Sequence, residues 1–147
     1  MKHINRFLFI LILIIAGLLT ACLQTPAEEE VVKPVHLEPI AGTDLNNVIL
    51  TAEAAKRLDL QTMAVREQEI NGAQRIVIPY AAVLYEANGN TWVYVSIKPL
   101  TFVRQAIVID YIDGDQAILS EGLDSDAIVV TTGAAELFGT ESEFEEE

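Results

Sequence analysis

The sequence predicts a mainly β protein: a small antiparallel roll or barrel-like domain of about six to eight strands, with one short helix. The strongest evidence is the segment 102–112, in which Val103, Ile107, Ile109 and Tyr111 share one face at a spacing of two residues. Two further observations are turn signals, Asn88-Gly89 and Asp113-Gly114, which separate short apolar runs as β-hairpin turns do.

The first elements combine two short strands with the helix. Residues 48–50 predict a strand, and Thr51 is a good N-cap for a helix over about residues 52–58. Glu53 falls in the first turn, where the helix dipole favours an acidic side chain. Residues 60–65 alternate again and predict a second strand.

The rest of the domain predicts strands and turns. Residues 76–78 run into Pro79, which suits a strand end or sheet edge. Strands are expected at 82–85, 92–96, 102–112, 116–119 and 128–131, with a short end segment at 134–138. Trp92 and Tyr94 are expected on one face of their strand, opposite Val93 and Val95.

The N-terminus predicts a secreted lipoprotein. Lys2 and Arg6 precede an apolar run of 13 residues, 7–19, which is shorter than the roughly 20 residues of a spanning helix. Residues 19–22, Leu-Thr-Ala-Cys, are similar to a bacterial lipobox, which implies lipidation of Cys22 and cleavage just before it. The alternative is an uncleaved anchor with an incidental cysteine; both place the protein on the extracytoplasmic (periplasmic) side of the cell membrane.

These features divide the chain into four parts. We expect a lipoprotein-type signal peptide at 1–21, a lipidated cysteine and flexible acidic, Pro-rich stem at 22–43, a β domain at 44–139 and an acidic tail at 140–147. Within the stem, Val35, Leu37 and Ile40 suit a short first strand or a docking segment. The acidic ends are interpreted as solvated tails, with weak cation binding as the alternative.

Composition excludes several functions. The net charge of −13 argues against nucleic-acid binding, which needs clustered Lys and Arg. Cys22 is the only cysteine, so its lipidation removes disulfides, thiolate metal sites and cysteine catalysis.

No catalytic constellation is visible in the sequence, so we expect no enzyme, no cofactor and no metal site. His36 lies in the Pro-rich stem and is interpreted as exposed rather than as a ligand. Asp110, Asp113 and Asp115 lack the length and the glutamate of an EF-hand loop, although calcium binding is the alternative. Trp92 and Tyr94 suit sheet packing, with a ligand platform as the alternative.

Two segments resemble the periplasmic adaptor subunits of RND-type efflux pumps, the membrane fusion proteins of the HlyD-like superfamily. The order of elements in residues 78–133 is similar to the C-terminal part of those adaptors, and residues 48–67 are similar to a phrase near their mature N-terminus. The matching positions are Thr51, Glu53, Ala54, Leu58, Thr62, Val65, Ile78, Pro79, Ala82, Val83, Gly89, 92–95, Phe102, Arg104, Gly122, Leu123, Val129, Val130 and Gly133. Asp59 and Asp126 stand at or next to positions where the family has glycine, and aspartate can occupy such turn positions.

The resemblance implies an adaptor domain with its middle removed. In the family, a lipoyl domain, a long helical hairpin and a β-barrel separate the two segments, whereas about ten residues, 68–77, separate them here. The two ends of an adaptor chain form its membrane-proximal domain, which lies against the transporter. The missing hairpin argues against a tunnel-forming role.

The expected function is therefore that of a lipid-anchored, non-enzymatic accessory module of an RND-type efflux transporter. The membrane, through the lipid anchor, and the transporter are the expected partners, with a ring of copies as a further expectation. Trp92, Tyr94, Phe102 and Arg104 are the predicted partner-binding residues, presented on exposed sheet positions. The alternative is a ligand- or cation-binding lipoprotein that delivers cargo to a transporter.

Overall fold

The computed structural model describes residues 33–145, and the side chains of residues 33–144. The predicted signal peptide, Cys22 and most of the predicted stem lie outside the described residues. None of the described helices is long and apolar enough to cross a membrane.

The mainly β, antiparallel class predicted from the sequence is confirmed, and the sheet curls into a half-barrel. Ten strands and two α-helices make up the described part of the chain. They are β1 (Val35–Pro39), β2 (Asn46–Leu50), α1 (Ala52–Arg57), β3 (Gln61–Ala64), β4 (Arg66–Ile70), β5 (Ala73–Pro79), β6 (Leu84–Tyr85), β7 (Thr91–Lys98), β8 (Thr101–Asp113), β9 (Gln116–Glu121), β10 (Ile128–Thr132) and α2 (Ala134–Glu145), with a 3-10 turn at Tyr80–Ala82 between β5 and β6.

The strand order explains the curl of the sheet. The path runs β3-β10-β7-β8-β9-β5-β4, with β1 and β2 added beside β8 and β6 added beside β7. Strands β3 and β4 stand at the two ends of this order, yet only Val65 separates them in the chain. Because the chain passes directly from β3 to β4 through Val65, the two ends of the strand order lie close together. The backbone N–H of Val65 donates to the carbonyl of Ala127 at 3.0 Å.

Each face of the central strands packs against its own core. Tyr94 and Val130 belong to one cluster, with β1, β2, α1 and α2, whereas their neighbours Val93 and Val129 belong to the other, with β5 and β9. This alternation follows from the two-residue period of a strand. The predicted division of β7 into a Trp92–Tyr94 face and a Val93–Val95 face agrees with it.

The domain begins earlier than residue 44. Strand β1, within the predicted stem, pairs antiparallel with β2 from Val35↔Leu50 to Pro39↔Asn46. Val35 is buried in the first core. The prediction of a flexible stem up to residue 43 is therefore wrong from residue 35 onward, and the alternative of a short first strand at Val35, Leu37 and Ile40 agrees with β1.

Helix α1 has the predicted N-cap and an unusual end. The Thr51 hydroxyl accepts a hydrogen bond from the Ala54 N–H, as the sequence predicts. After the helix, Asp59 adopts a φ of 50°. The N–H of Leu60 donates to the Ala55 carbonyl at 3.1 Å, which closes a Schellman-type end in which glycine is the usual residue. Asp59 is one of the two positions at which the adaptor family has glycine.

Asp59→Gly is expected to stabilise the domain by about 0.5–1 kcal/mol, because glycine adopts the left-handed conformation without the Cβ clash that an L-residue suffers. Asp126 is the matched control: it does not have a positive φ, so Asp126→Gly should lower stability through greater freedom of the unfolded chain. Urea unfolding of both variants measures the difference. Equal effects at the two positions would contradict the assignment of strain to Asp59.

The turns differ in detail from the predicted ones. The link between the two adaptor-like segments is a tight hairpin, in which β4 and β5 pair from Arg66↔Val77 to Ile70↔Ala73. Its two turn residues, Asn71 and Gly72, both have positive φ, 52° and 80°, as a type I′ turn requires. In the β6–β7 turn, by contrast, Gly89 has positive φ and Asn88 does not.

The C-terminal segment is a helix of 12 residues that packs on the sheet. The prediction of a solvated acidic tail from residue 140 is wrong for Glu141, which is 1% exposed. Leu137 is fully buried, and Phe138 and Phe144 pack against the first core. These residues recur on one side of the helix, so the acidic composition concealed an amphipathic pattern.

Candidate functional site

The four predicted partner-binding residues lie close together on β7 and β8, but two of them are not exposed. Tyr94 is 0% and Phe102 is 4% exposed. Both belong to the core beneath helix α2, so the expectation that they offer a surface to a partner is wrong. Trp92 and Arg104 are half-buried.

Arg104 is the centre of a closed polar network. Its Nη1 lies 3.2 Å from Glu86 Oε1, and its Nε lies 3.0 Å from Glu141 Oε2. The Tyr94 hydroxyl donates a hydrogen bond to the same carboxylate of Glu141. Glu141 was not predicted from the sequence to lie at this place, because its acidic neighbours suggested a solvated tail.

Two aromatic rings enclose the guanidinium. The Arg104 Cζ lies 5.8 Å from the centre of the Trp92 ring and 5.3 Å from that of Phe138, within the range of cation–π attraction. The side chains of Arg104 and Glu141 are 11% and 2% exposed, so little solvent or substrate reaches the network. The network therefore has a structural role: it holds helix α2 and the Trp92 ring against the sheet.

No group of three or more His, Cys, Asp or Glu side chains suitable for a metal ion occurs among residues 33–145. His36 is exposed, and its Nε2 lies 3.9 Å from Glu38 Oε1. Asp110 instead lies 3.9 Å from Arg75 on strand β5. The calcium alternative for the aspartates of the β8–β9 hairpin thus gains no support from their placement.

An open sheet edge is the second feature of the site. Strand β7 pairs with β8 only as far as Thr91↔Ile107. From Val108 to Asp113, β8 pairs with β9 on its other side, and no described strand pairs with it where β7 has ended. Asp113 and Gln116 flank a two-residue turn and form a hydrogen-bonded pair, so alternation directs the N–H and C=O of Ile112 toward the open edge.

A groove of about 710 Å³ lies beside this edge. Its lining is mainly apolar and comes from three places: Tyr85, the turn and first residues of β7 (Gly89, Asn90, Thr91, Trp92), and the β8 residues Ala106, Ile107, Val108 and Ile109. Val108, Tyr111 and Ile112 are 51%, 42% and 45% exposed on the adjoining strand. The groove and the open edge together are called the β8 slot below.

Tyr85 forms one wall of the β8 slot with a fixed, neutral ring. It is 53% exposed and meets Tyr80 edge-to-face at 6.3 Å between ring centres. A hydrogen bond with the Tyr80 side chain, with smaller contributions from burial and from the charge of Tyr80, raises the pKa of Tyr85. The ordinary tyrosine pKa is already about 10, so with a raised pKa the phenol of Tyr85 stays protonated at neutral pH.

The segment beside the β8 slot carries charge of one sign. From Asp110 to Asp126 the sequence contains six acidic side chains and no Lys, Arg or His. Asp113, Asp115 and Glu121 are exposed, and none has an ion-pair partner within the described part of the chain. The slot therefore suits a ligand that is extended, partly apolar and positively charged.

The chain has no significant match to a family model, to a curated protein or to a solved structure.

Proposed function

We propose that this protein is a lipid-anchored, extracytoplasmic accessory module of an RND-type efflux transporter, which acts by protein–protein docking. The observation that carries the proposal is the way in which the two adaptor-like segments combine. Strand β2 of the first segment pairs with β8 of the second through Val48↔Phe102, and β3 pairs with β10 through Met63↔Val129. One sheet thus contains both, as the resemblance predicts for the joined ends of an adaptor chain.

The short link between the segments supports the same proposal. Where an adaptor has its lipoyl, hairpin and barrel regions, this chain has the β4–β5 hairpin with its two-residue turn. A two-residue turn needs no inserted domain to close, since the strand twist matches a type I′ turn. The remaining domain keeps the part that lies against a transporter in the family and lacks the part that reaches beyond it.

The docking surface that we propose is the β8 slot rather than the buried face of Tyr94 and Phe102. An extended segment of the transporter would add a strand along the free edge of β8, where β7 has ended. Its backbone would pair with β8, and its apolar side chains would contact Tyr85 and Val108. Lys or Arg side chains on the same segment would meet Asp113 and Glu121.

Crosslinking in membranes, followed by pull-down and mass spectrometry, tests the proposal. A large RND-type permease should be recovered with the wild-type protein and should be much reduced with Cys22→Ala, which has no lipidation site. Asp113→Lys/Glu121→Lys should also reduce recovery, because it reverses the charge of the β8 slot. The matched control, Glu67→Lys/Glu69→Lys on β4, changes the net charge equally at exposed positions elsewhere and should recover the permease normally.

If the lipidated protein reaches the membrane and no transporter is recovered, the docking function is wrong. Titration calorimetry with metal ions and candidate solutes then tests the cargo-binding alternative, for which a stoichiometric heat at micromolar affinity would be the supporting result. If both charge-reversal variants lose the permease equally, the contact is a general charge effect and the assignment to the β8 slot is wrong.

A further inference from the structure

The tip of the β7–β8 hairpin exposes two aliphatic side chains. Ile97 is 52% and Leu100 is 36% exposed, and Lys98 and Pro99 between them are exposed as well. A single exposed aliphatic residue is ordinary on a protein surface. Two on one four-residue turn form a small apolar projection, which the docking function proposed above does not use.

The backbone directs both side chains outward. A register shift between Ser96 and Lys98 leaves Ile97 without a partner on β8, and such a bulge re-aims the side chain. Pro99 and Leu100 occupy the centre of the turn, and Leu100 has a φ of 58°. Glycine is the preferred residue at a positive φ after proline in a type II turn. A leucine in this strained position points to a use for its side chain.

The chain enters the domain at the same end. The N–H of Leu50 donates to the Leu100 carbonyl at 2.9 Å, and the N–H of Thr51 donates to the Pro34 carbonyl at 3.0 Å. Pro34 and the hairpin tip are therefore neighbours. Residues 23–32 separate Cys22 from Lys33, and ten residues reach at most about 35 Å. A lipid on Cys22 therefore keeps this end of the domain, where the tether joins it, within reach of the bilayer.

The distribution of charged side chains along the domain also distinguishes its two ends. Lys98 lies on the tip, and Lys33 immediately precedes Pro34. Glu53, in the first turn of α1, is compensated by Arg57 at 3.0 Å. The uncompensated aspartates Asp113 and Asp115 lie at the other end of β8, a strand of 13 residues and hence about 40 Å long. An anionic surface therefore repels the end of β8 with Asp113 and Asp115 more strongly than the hairpin tip with Lys98.

We infer that the tip formed by Ile97, Lys98, Pro99 and Leu100 inserts its two aliphatic side chains into the membrane that holds the Cys22 lipid. Two side chains give a weak contact on their own, and the anchor makes it effective by raising the local concentration of bilayer. The contact sets the orientation of the domain: the tip faces the lipid and the β8 slot faces away from it. This inference requires lipidation of Cys22 and does not require a transporter.

An environment-sensitive label tests the insertion. Acylation of Cys22 consumes the only native thiol, so a cysteine introduced elsewhere takes a nitrobenzoxadiazole label alone. Ile97→Cys and Val108→Cys form a matched pair, because the native side chains are 52% and 51% exposed, the first at the tip of the β7–β8 hairpin and the second in the β8 slot. Each full-length lipidated variant is reconstituted in transporter-free vesicles of phosphatidylcholine and phosphatidylglycerol, and mass spectrometry establishes the acyl chains.

At position 97 we expect a several-fold rise in emission, a blue shift and quenching by lipids with a nitroxide on the acyl chain. At position 108 we expect none of these. Labels that remain in water at both positions, or that respond equally at both, overturn the inference. So does a Cys22 that mass spectrometry shows to be unmodified. Because the vesicles contain no protein partner, failure here leaves the transporter pull-down unaffected, and failure of the pull-down leaves this result unaffected.

Discussion

Arg104→Met is expected to lower the free energy of unfolding by about 3–5 kcal/mol, because it leaves buried carboxylate without its cation. Methionine retains much of the length and apolar surface of the arginine stem, so the loss is chiefly that of charge. Glu141 suffers most, since it is 1% exposed and its carboxylate lies 3.0 Å from the Arg104 Nε. Glu86 loses the same cation at a more exposed position.

Urea unfolding followed by the fluorescence of Trp92, the only tryptophan, measures this effect. The double variant Arg104→Met/Glu141→Met should be more stable than Arg104→Met alone, because a buried apolar pair replaces an unpaired charge. Arg57→Met is the surface control: its pair with Glu53 is solvent-exposed on both sides and should contribute about 0.3–0.5 kcal/mol.

The result would identify what holds helix α2. If the free energy of unfolding of Arg104→Met is within about 1 kcal/mol of that of the wild type, the polar network contributes little to stability. The apolar contacts of Leu137 and Phe138 are then sufficient to hold helix α2 on the sheet. If it is strongly destabilised and the double variant recovers, Arg104 is retained for the register of α2 on the sheet. Arg104 is then one of the residues shared with the adaptor pattern whose role is packing rather than partner contact.

The strands of the central sheet were predictable because their signals are local. Strands β7, β8 and β9 alternate in hydrophobicity and are separated by turn residues, so each is recognisable without its neighbours. The Asn71-Gly72 turn carried an equally strong local signal that the prediction did not use. Strand β1 was indicated only as an alternative to a docking segment, and helix α2 was not found, since Glu recurs along it and packing on the first core makes it regular.

The candidate site was less predictable than the fold for a related reason. Trp92 and Tyr94 have the same spacing and chemistry in the sequence, yet only Tyr94 is completely buried, because helix α2 covers its part of the face. The β8 slot exists because Thr91, the first residue of β7, pairs with Ile107, whereas β8 continues beyond that point to Asp113. The length by which one strand extends past its neighbour depends on the pairing register. The alternation of side chains within a single strand does not determine that register.

Gly122→Ala is expected to destabilise the domain by about 3 kcal/mol or more, because the added methyl group meets backbone on two sides. A Cβ at this position would lie 2.5 Å from the Ala106 carbonyl oxygen and 2.7 Å from the Ile107 Cα. Neither atom can move without distorting β8. The φ of 117° adds strain of its own, since L-residues rarely adopt it.

Gly114→Ala separates the two causes. Gly114 also has a positive φ, 60°, but a Cβ there would have no neighbour within 4 Å. Its replacement should therefore cost only the conformational strain of about 1–2 kcal/mol. Urea unfolding of the two variants under the same conditions gives the difference between their free energies of unfolding. This difference measures the cost of the clash between the added methyl group and strand β8.

The same substitution connects stability with docking. Ala106 and Ile107, the two residues that the Gly122 methyl would displace, line the β8 slot at the point where β7 ends. The Gln105 side chain donates a hydrogen bond to the Gly122 carbonyl, so the loop after β9 is fixed to β8 at this point. If Gly122→Ala and Gly114→Ala lose equal stability, the close contact does not constrain β8. If Gly122→Ala loses more, glycine here is required for the close contact that holds β8 in place at the start of the β8 slot.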